Sequence, residues 1–328
     1  MMHLRTSAIA AGLLALCLPS NAAPELASVH ALFKLEDNQV DYAEAKLTVD
    51  HVIDPSIDTD STRKELDRWV RVVRDNTPDG STPRQKLDAL LKTLYVAGPW
   101  NQFKPFAYDL TDPMGRNEKN KQLATYLKSR KGNCVSMPVF VAILSQRLGL
   151  PVALATAPSH VFVKFGDSEH HVWLNVEATA GGLKYDESYI KETGISKKAL
   201  ENELYLRPLS PHEGVGVIAS TLMEHFGNTH ESNALLQITE WALEANPKDP
   251  VALVWRASAY YLQLEERYIS KYPNATDLPT EAREDYRKLS QENIQWFAKA
   301  EALGWTQETA EDENKYLQSI KKEKTRVR

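Results

Sequence analysis

The chain has 328 residues, of which 42% are hydrophobic and 25% are charged, and these fractions are typical of a globular protein. Its length indicates two domains, or one domain with a large extension. The net charge of −5 provides no basic field that would hold nucleic acid, so a nucleic-acid partner is not expected.

The first 22 residues have the pattern of a secretory signal peptide. A basic start at Arg5, an apolar run from Ala8 to Leu18 and a small residue at Ala22 predict cleavage after Ala22 and a periplasmic or secreted protein. The run is too short to cross a hydrocarbon core of about 30 Å comfortably, and no later stretch is apolar enough to do so. Cys17 offers a site for a lipid anchor, but Leu16 precedes it where lipoprotein signals have a small residue, so this alternative is less favoured.

Removal of the signal leaves Cys134 as the remaining cysteine of the two in the sequence. It then has no disulfide partner within the chain, although exported thiols tend to be oxidised. Two interpretations follow: Cys134 is a buried residue that acts as a small hydrophobe, or it is a nucleophile.

Apolar residues at helical spacing predict a helical first half of the chain. Thr82 followed by Pro83 marks the start of one of these helices. A long aromatic-rich loop from Trp100 to Lys119 follows it, and long ordered loops are often part of a site. The expected helices cover about 26–33, 42–52, 61–73, 83–94, 120–130 and 137–148.

β-Branched and aromatic residues then predict three strands, at 152–156, 161–165 and 172–176, with the last two joined as a hairpin. After Pro208 the pattern is again helical. Helices are expected there at 214–226, 232–245, 250–264 and 281–303.

The turn from Asn246 to Pro250, with Ala242 and Ala252 at close-packing positions, is typical of a tetratricopeptide-type helical pair. One such unit does not form an independent solenoid, so we expect it to pack on the first domain. The predicted division is a signal peptide (1–22), an α+β domain with a helical lead-in (23–210), a tetratricopeptide-like helical region (211–310) and a basic tail (311–328), which is expected to be solvent-exposed or frayed after Lys315.

The start of the helix after Gly132 favours a reactive thiol at Cys134. A cysteine attacks an acyl carbon as the thiolate, and backbone N–H groups at a helix start stabilise both that anion and a later oxyanion. Pro138 has no N–H group and is expected to delay the regular helix to about Met137, which leaves Cys134 in the turn just before it.

His160 and Glu177 are expected to face each other across the hairpin. If its turn is centred near Ser168 and Glu169, the two residues lie directly opposite, with Cβ atoms roughly 5 Å apart. Asn175 is the rival acceptor for the histidine, because it lies on the same face as Glu177. The alternative without a function is a surface pair on an exposed hairpin.

Four separated motifs resemble the core of the transglutaminase-like superfamily. The resemblance implies a papain-like fold in which a helix packs on a small antiparallel sheet. It also implies a nucleophilic Cys134 at the helix start, with His160 and an acid on neighbouring strands. The motifs are Lys131-Gly132-Asn133-Cys134, Leu148-Gly149-Leu150-Pro151, Ser159-His160-Val161-Phe162-Val163 and Trp173-Leu174-Asn175-Val176-Glu177-Ala178-Thr179.

The segment Asn120-Lys121-Gln122-Leu123, the Ala180-Gly181-Gly182 ending and the helical C-terminal part resemble a bacterial branch that joins this core to tetratricopeptide-like helices. Members of that branch often lack the cysteine that is present here. Two positions depart from the superfamily: Glu177 stands where aspartate is usual, and Ala178 stands where proline commonly follows it. The longer acid side chain must fold back to reach the histidine.

The sequence therefore predicts an exported thiol hydrolase or acyltransferase that acts on an amide bond of a protein or peptide. Cys134 is the expected nucleophile, His160 the base and then acid, and Glu177 the residue that orients it. Asn120, Asn133 and Trp100 are candidates to support the site or the oxyanion. No metal or organic cofactor is implied. The alternative is an inactive envelope scaffold that binds a protein partner through its C-terminal helices.

Overall fold

The computed structural model describes residues 24–307, 309, 311–312, 314–318 and 320. The predicted signal peptide, with Cys17, lies outside the described residues, as does the part of the basic tail beyond 320. No helix among the described residues is long and apolar enough to cross a membrane.

Helices make up most of the described chain, and their sequence signals agree with their positions. They are α1 (Pro24–Leu32), α2 (Tyr42–Ile53), α3 (Thr59–Asp75), α4 (Pro83–Tyr95), α5 (Leu123–Ser129), α6 (Ser136–Arg147), α7 (Asp186–Thr193), α8 (Lys197–Glu201), α9 (Pro211–Asn228), α10 (Ser232–Ala245), α11 (Pro250–Leu264) and α12 (Arg283–Leu303). The helix α4 begins as predicted, because the Thr82 hydroxyl accepts from the Gln85 N–H at 3.3 Å while the Gln85 side chain accepts from the Thr82 N–H at 2.9 Å.

The β structure consists of two sheets. A short parallel pair joins β1 (Ala107–Tyr108) to β2 (Lys131–Gly132). The second sheet is antiparallel with strand order β3-β4-β5-β6. Its strands are β3 (Val152–Ala157), β4 (His160–Asp167), β5 (Val172–Glu177) and β6 (Gly182–Lys184). The predicted α+β class, with a helix packed on a small antiparallel sheet, is confirmed, because α6 packs on β3 and β4.

Several predicted bounds were wrong. The helix expected over 120–130 is shorter, because residues Glu118–Lys121 form a 3-10 turn and α5 begins only at Leu123. The helix α3 begins earlier than expected, since the Asp58 carboxylate accepts from the Ser61 N–H at 2.8 Å and caps it. The elements β6, α7 and α8 were not predicted, because each has eight residues or fewer and gives little periodic signal.

The C-terminal helices share a hydrophobic core with the rest of the chain. Helix α9 packs on α2 and on β3, and α10, α11 and α12 follow it, each packed on the one before. Buried side chains of α1, α2, α6, α9 and α10 form one continuous cluster. A smaller cluster under β4 contains Phe162 and Tyr189, with Trp305 packed against it.

The expectation of a solvent-exposed tail was wrong for part of that tail. Residues 311, 312, 314–318 and 320 are helical. Tyr316 is half-buried and Ile320 is 6% exposed, because both face the domain core. The described residues from 309 to 320 are called the terminal segment below.

Candidate active site

Asn133 caps the helix that follows the candidate nucleophile. Its side-chain oxygen accepts hydrogen bonds from the N–H groups of Val135 and Ser136, both at 3.0 Å. The Met137 N–H donates to the Asn133 carbonyl at 3.1 Å. Cys134 therefore lies in the turn just before α6, as predicted, and Pro138 costs nothing there because the first turn of a helix needs no N–H donor.

Gly132 permits this turn because no side chain would fit at its position. A Cβ atom there would lie 2.5 Å from the Tyr126 ring and 2.8 Å from the Met137 side chain. The close approach of the β2 backbone to both residues holds the start of α6 against α5, and so positions Cys134.

Cys134 is 8% exposed and borders a cavity of about 520 Å³ together with His160. Its thiol donates to the Ser159 carbonyl at 3.6 Å. Within the described part of the chain, the Cys134 backbone N–H makes no hydrogen bond and is free to donate to a bound oxygen. The far walls of the cavity come from α9 and α11, with Val217, Val254 and Trp255 among them.

The tight turn between β3 and β4 positions His160. Ala157 pairs with His160, which leaves Pro158 and Ser159 as the turn residues. Ser159 has a φ of 49°, in the left-handed region that non-glycine residues rarely adopt. Backbone strain of this kind is found at functional sites, where the surrounding structure holds it in place.

The structure brings His160 and Glu177 together, but not by the predicted register. The ladder pairs Val163 with Val176, and its continuation places Thr179 opposite His160. The hairpin is thus shifted by two residues, which keeps every side chain on its predicted face. Glu177 reaches His160 along the diagonal, and its Oε2 lies 2.7 Å from the His160 Nε2.

Both oxygens of Glu177 have partners, and the side chain is 2% exposed. Its Oε1 accepts from the Thr179 N–H at 3.0 Å and from the Thr179 hydroxyl at 2.7 Å. Its Oε2 accepts from the Tyr189 hydroxyl at 2.9 Å in addition to the imidazole. The Glu177 carboxylate is held in one orientation by groups from three elements, so the alternative of a surface pair does not describe it.

Electrostatics favour the charged forms of both groups. Burial alone would lower the pKa of His160, but the charge of Glu177 and hydrogen bonds to Cys134 and Glu177 raise it above 6.5. Burial alone would raise the pKa of Glu177, but the charge and hydrogen bond of His160, the charge of Lys184 and the Thr179 hydrogen bond lower it below 4.5. Since Nε2 is committed to Glu177, Nδ1 is the ring nitrogen that remains for the thiol.

The other candidates from the sequence have structural partners instead. The Asn120 side chain donates to Asp112 at 2.8 Å. Asn175, the rival of Glu177, accepts from Lys164 at 2.7 Å and donates to Asp186 at 2.6 Å, so it does not orient His160. The Trp100 indole donates to the Val96 carbonyl at 3.2 Å, and the cavity walls do not include this residue. Of the supporting candidates, only Asn133 acts on the site, through the cap of α6.

Three groups of ligand type also meet at the hairpin tip, where Asp167, Glu169 and His170 lie within 4.8 Å of one another. Asp167 accepts from the backbone N–H groups of Glu169 and His170 at 3.0 and 3.2 Å. Its carboxylate is therefore a turn cap.

Sequence reasoning missed three side chains of the site. Thr179 lies inside a motif that was noticed, but its contact with Glu177 depends on the turn after β5. Tyr189 lies on α7, which was not predicted. Tyr316, in the terminal segment, has its hydroxyl 3.1 Å from the His160 Nδ1 and comes from a part of the sequence that gave no signal of a site.

Comparisons with known proteins identify what the chain is similar to. Residues 60–216 match a family model described as the transglutaminase-like superfamily. Protein SirB1 of Salmonella typhimurium is 24% identical over 250 residues, which cover 74% of this chain and 87% of that protein. The UPF0162 protein YchA of Escherichia coli K12 is 23% identical over 248 residues, with the same two shares covered. Among solved structures, menin matches with a TM-score of 0.50 at 16% identity, covering 92% of this chain and 74% of menin, and shares the fold alone.

Proposed function

The chain belongs to the transglutaminase-like superfamily through residues 60–216, and we propose that it is an exported thiol hydrolase or acyltransferase. Its substrate is an amide bond of a protein or peptide, and Cys134, His160 and Glu177 carry the reaction. The proposal of export rests on the signal-peptide pattern of residues 1–22.

In the first half of the reaction, the reacting form is an ion pair in which the proton of the Cys134 thiol is held on Nδ1 of His160, and the Cys134 thiolate attacks the carbonyl carbon. The free backbone N–H of Cys134 donates to the oxyanion that forms. When the tetrahedral intermediate collapses, the C–N bond breaks and the imidazolium gives its proton to the leaving amine. The product is a thioester on Cys134.

In the second half, His160 takes a proton from water or from an acceptor amine, which attacks the thioester and releases Cys134 as the thiolate. Glu177 stabilises the imidazolium in both halves and fixes the orientation of the ring. Hydrolysis is the proposed outcome, because water is always present and no acceptor-amine site is evident in the sequence.

The observation that supports this proposal is the bracing of Glu177. Burial of a carboxylate costs free energy, because the charge leaves water. Glu177 is nevertheless buried and accepts hydrogen bonds from Thr179, Tyr189 and His160, which favours a role for its charge in the reaction. His160 is buried, has a shifted pKa and borders the cavity, and this combination is typical of catalytic sites.

Acylation by p-nitrophenyl acetate tests the proposal. The wild-type protein should release p-nitrophenolate and carry an acetyl group on the Cys134 peptide, as read by mass spectrometry. Cys134→Ala should carry none there, and His160→Ala should react at least about 100-fold more slowly, the lower range for loss of a general base. His170→Ala is the matched control, because that side chain is 72% exposed on the hairpin, and it should behave as wild type. Release that survives Cys134→Ala at the full rate would refute the proposal.

The alternative is a scaffold that kept the fold without the reaction. One observation favours it: Cys134 is 8% exposed and Tyr316 approaches the His160 nitrogen that the thiol needs. Alkylation with iodoacetamide separates the two functions. An activated thiol still reacts at mildly acid pH, whereas an ordinary thiol, with a pKa of about 8.5, reacts there very slowly. Reaction seen only after unfolding would favour the scaffold.

A further inference from the structure

The terminal segment lies over the candidate active site. It begins with a capping arrangement in which the Thr309 hydroxyl accepts from the Asp312 N–H at 3.2 Å and the Asp312 carboxylate accepts from the Thr309 N–H at 3.0 Å. This capping arrangement stabilises the start of the helix.

Two side chains hold the segment on the domain. Tyr316 and Ile320 are one helical turn apart, so they lie on the same face and point toward the domain together. Ile320 is 6% exposed and belongs to the main hydrophobic cluster. The described charged side chains of the segment face solvent, with Glu311 78% and Lys315 60% exposed. An element held by so few buried contacts is at the low end of local stability.

Tyr316 occupies the position that the reaction needs. Its hydroxyl is 3.1 Å from Nδ1 of His160, and its ring centroid is 6.0 Å from the imidazole. Tyr316 also borders the cavity beside Cys134. An acyl group bound between Cys134 and His160 would need the space that the Tyr316 side chain occupies. It would also need the hydrogen bond of Nδ1, which the Tyr316 hydroxyl now makes.

The charges around Tyr316 keep it in the form that suits this contact. Burial raises the pKa of Tyr316 well above 10, and the charge of Glu177 adds to this rise. Tyr316 therefore stays a neutral phenol, whose oxygen can accept a hydrogen bond from the Nδ1–H of the imidazolium.

We infer that the terminal segment is an autoinhibitory cover, in which Tyr316 blocks His160 and Cys134 until the segment is displaced. The inference rests on the proposed function, because it concerns access to that site. It predicts that Cys134 reacts slowly in the resting protein and that a change which loosens the terminal segment makes Cys134 react faster.

Iodoacetamide labelling of the Cys134 peptide in the full-length protein tests the cover, with four variants. Tyr316→Phe removes the hydroxyl and keeps the ring. Tyr316→Ala removes both, and Ile320→Ala releases the second anchor without touching His160. Gln318→Ala is the matched control, because Gln318 is exposed on the same helix. Circular dichroism confirms that each variant is folded.

The expected labelling rate rises at least about threefold to tenfold in Tyr316→Phe, because removal of the hydroxyl removes its hydrogen bond to His160. It rises further in Tyr316→Ala and Ile320→Ala, and Gln318→Ala matches wild type. The rate of acetylation by p-nitrophenyl acetate should rise in the same order.

Wild-type labelling rates in both Tyr316→Ala and Ile320→Ala would overturn the cover, while labelling at mildly acid pH would still support the proposed function. Faster labelling in these variants without any reaction at mildly acid pH would support the cover and refute the proposed function. Faster labelling with slower acetylation would make Tyr316 a participant in the reaction and would overturn the cover.

Discussion

Glu177 contacts His160 across a diagonal of the β4–β5 ladder, with Oε2 2.7 Å from Nε2. Directly opposed residues are closest in an antiparallel pair, and diagonal neighbours are roughly 7–8 Å apart at their backbones. The additional methylene of glutamate, relative to the aspartate usual in the superfamily, spans that diagonal. The side chain has no need to fold back, and the departure at position 177 matches the register of this hairpin.

The first prediction concerns the charge of Glu177. Glu177→Gln removes the charge that opposes the effect of burial, so the pKa of His160 should fall below the wild-type value and the imidazolium should be lost near neutral pH. A histidine-labelled NMR titration measures this, with His160→Ala to assign the signal. Glu169→Gln, on the exposed turn of the same hairpin, should leave the titration unchanged.

The same variant should lose stability in a defined pH window. Because folding raises the pKa of His160, the contribution of this residue to stability is full below about pH 6.5. It is lost as the pH rises through the pKa of His160 in the folded protein. Because the pKa of Glu177 is lowered, its contribution is present above about 4.5 and is lost as pH falls. Urea unfolding near pH 6 should show a loss of about 3 kcal/mol, the lower figure for breaking a buried pair. An equal loss at pH 3 would contradict this origin.

Tyr189→Phe tests the bracing of the carboxylate. The variant removes the hydroxyl that donates to Glu177 at 2.9 Å and keeps the ring, which stacks on Phe162 with centroids 4.4 Å apart. We expect a loss of about 1.5–3 kcal/mol in the free energy of unfolding, as for a hydrogen bond to a charged group. Acetylation by p-nitrophenyl acetate should slow, because the imidazole is less well oriented. Tyr185→Phe, at an 81% exposed position, should change neither measurement.

Periodicity predicted the helices better than the sheet register. The bounds of α10 and α11 agree with the expectation, because both are long, amphipathic and bounded by strong signals such as Asp249 before Pro250. The hairpin register depends on one turn. Asp167 caps the Glu169 and His170 N–H groups, which places the turn later than the sequence indicated. Each side chain still lies on its predicted face of the sheet, because the observed register differs from the predicted one by an even number of residues.

The parts of the site that sequence reasoning missed share a physical cause. Tyr189 and Tyr316 reach Glu177 and His160 from separations of 12 and 156 residues. No local propensity encodes such contacts, since they depend on how α7 and the terminal segment pack on the sheet. Cys134 and His160 were accessible to sequence reasoning because a helix start and a strand start mark them locally.

Gly132→Ala should damage both the fold and the site. The new Cβ would lie 2.5 Å from the Tyr126 ring, so the turn before Cys134 must shift. Overpacking of this kind costs about 1–3 kcal/mol. Urea unfolding measures the stability, and p-nitrophenyl acetate measures the reactivity of Cys134. Gly182→Ala is the control, because a Cβ there meets nothing within 4 Å. Equal effects of the two substitutions would show that steric contact at Gly132 is not the cause.

A last prediction concerns Asp249, the cap of α11 on the wall of the cavity. Its Oδ1 accepts from the Val251 and Ala252 N–H groups at 2.9 and 3.1 Å. Burial raises the pKa of Asp249 from 3.8 to about 6, the two backbone bonds and Arg207 oppose this rise, and Glu213 adds to it. A carboxyl whose pKa is raised by folding gives its full contribution to stability below about pH 3.8, and that contribution is lost as pH rises through about 6.

Asp249→Asn keeps an oxygen that can cap the helix and removes the buried charge. Its free energy of unfolding, relative to wild type, should therefore be higher at pH 7.5 than at pH 4.5. The difference should be about 2 kcal/mol, because a shift of one pKa unit corresponds to about 1.4 kcal/mol and part of the effect is already present at pH 4.5. Asp58→Asn makes the same change at the exposed cap of α3 and serves as the control. A relative stability of Asp249→Asn that is the same at both pH values would mean that the charge of Asp249 costs nothing where it lies.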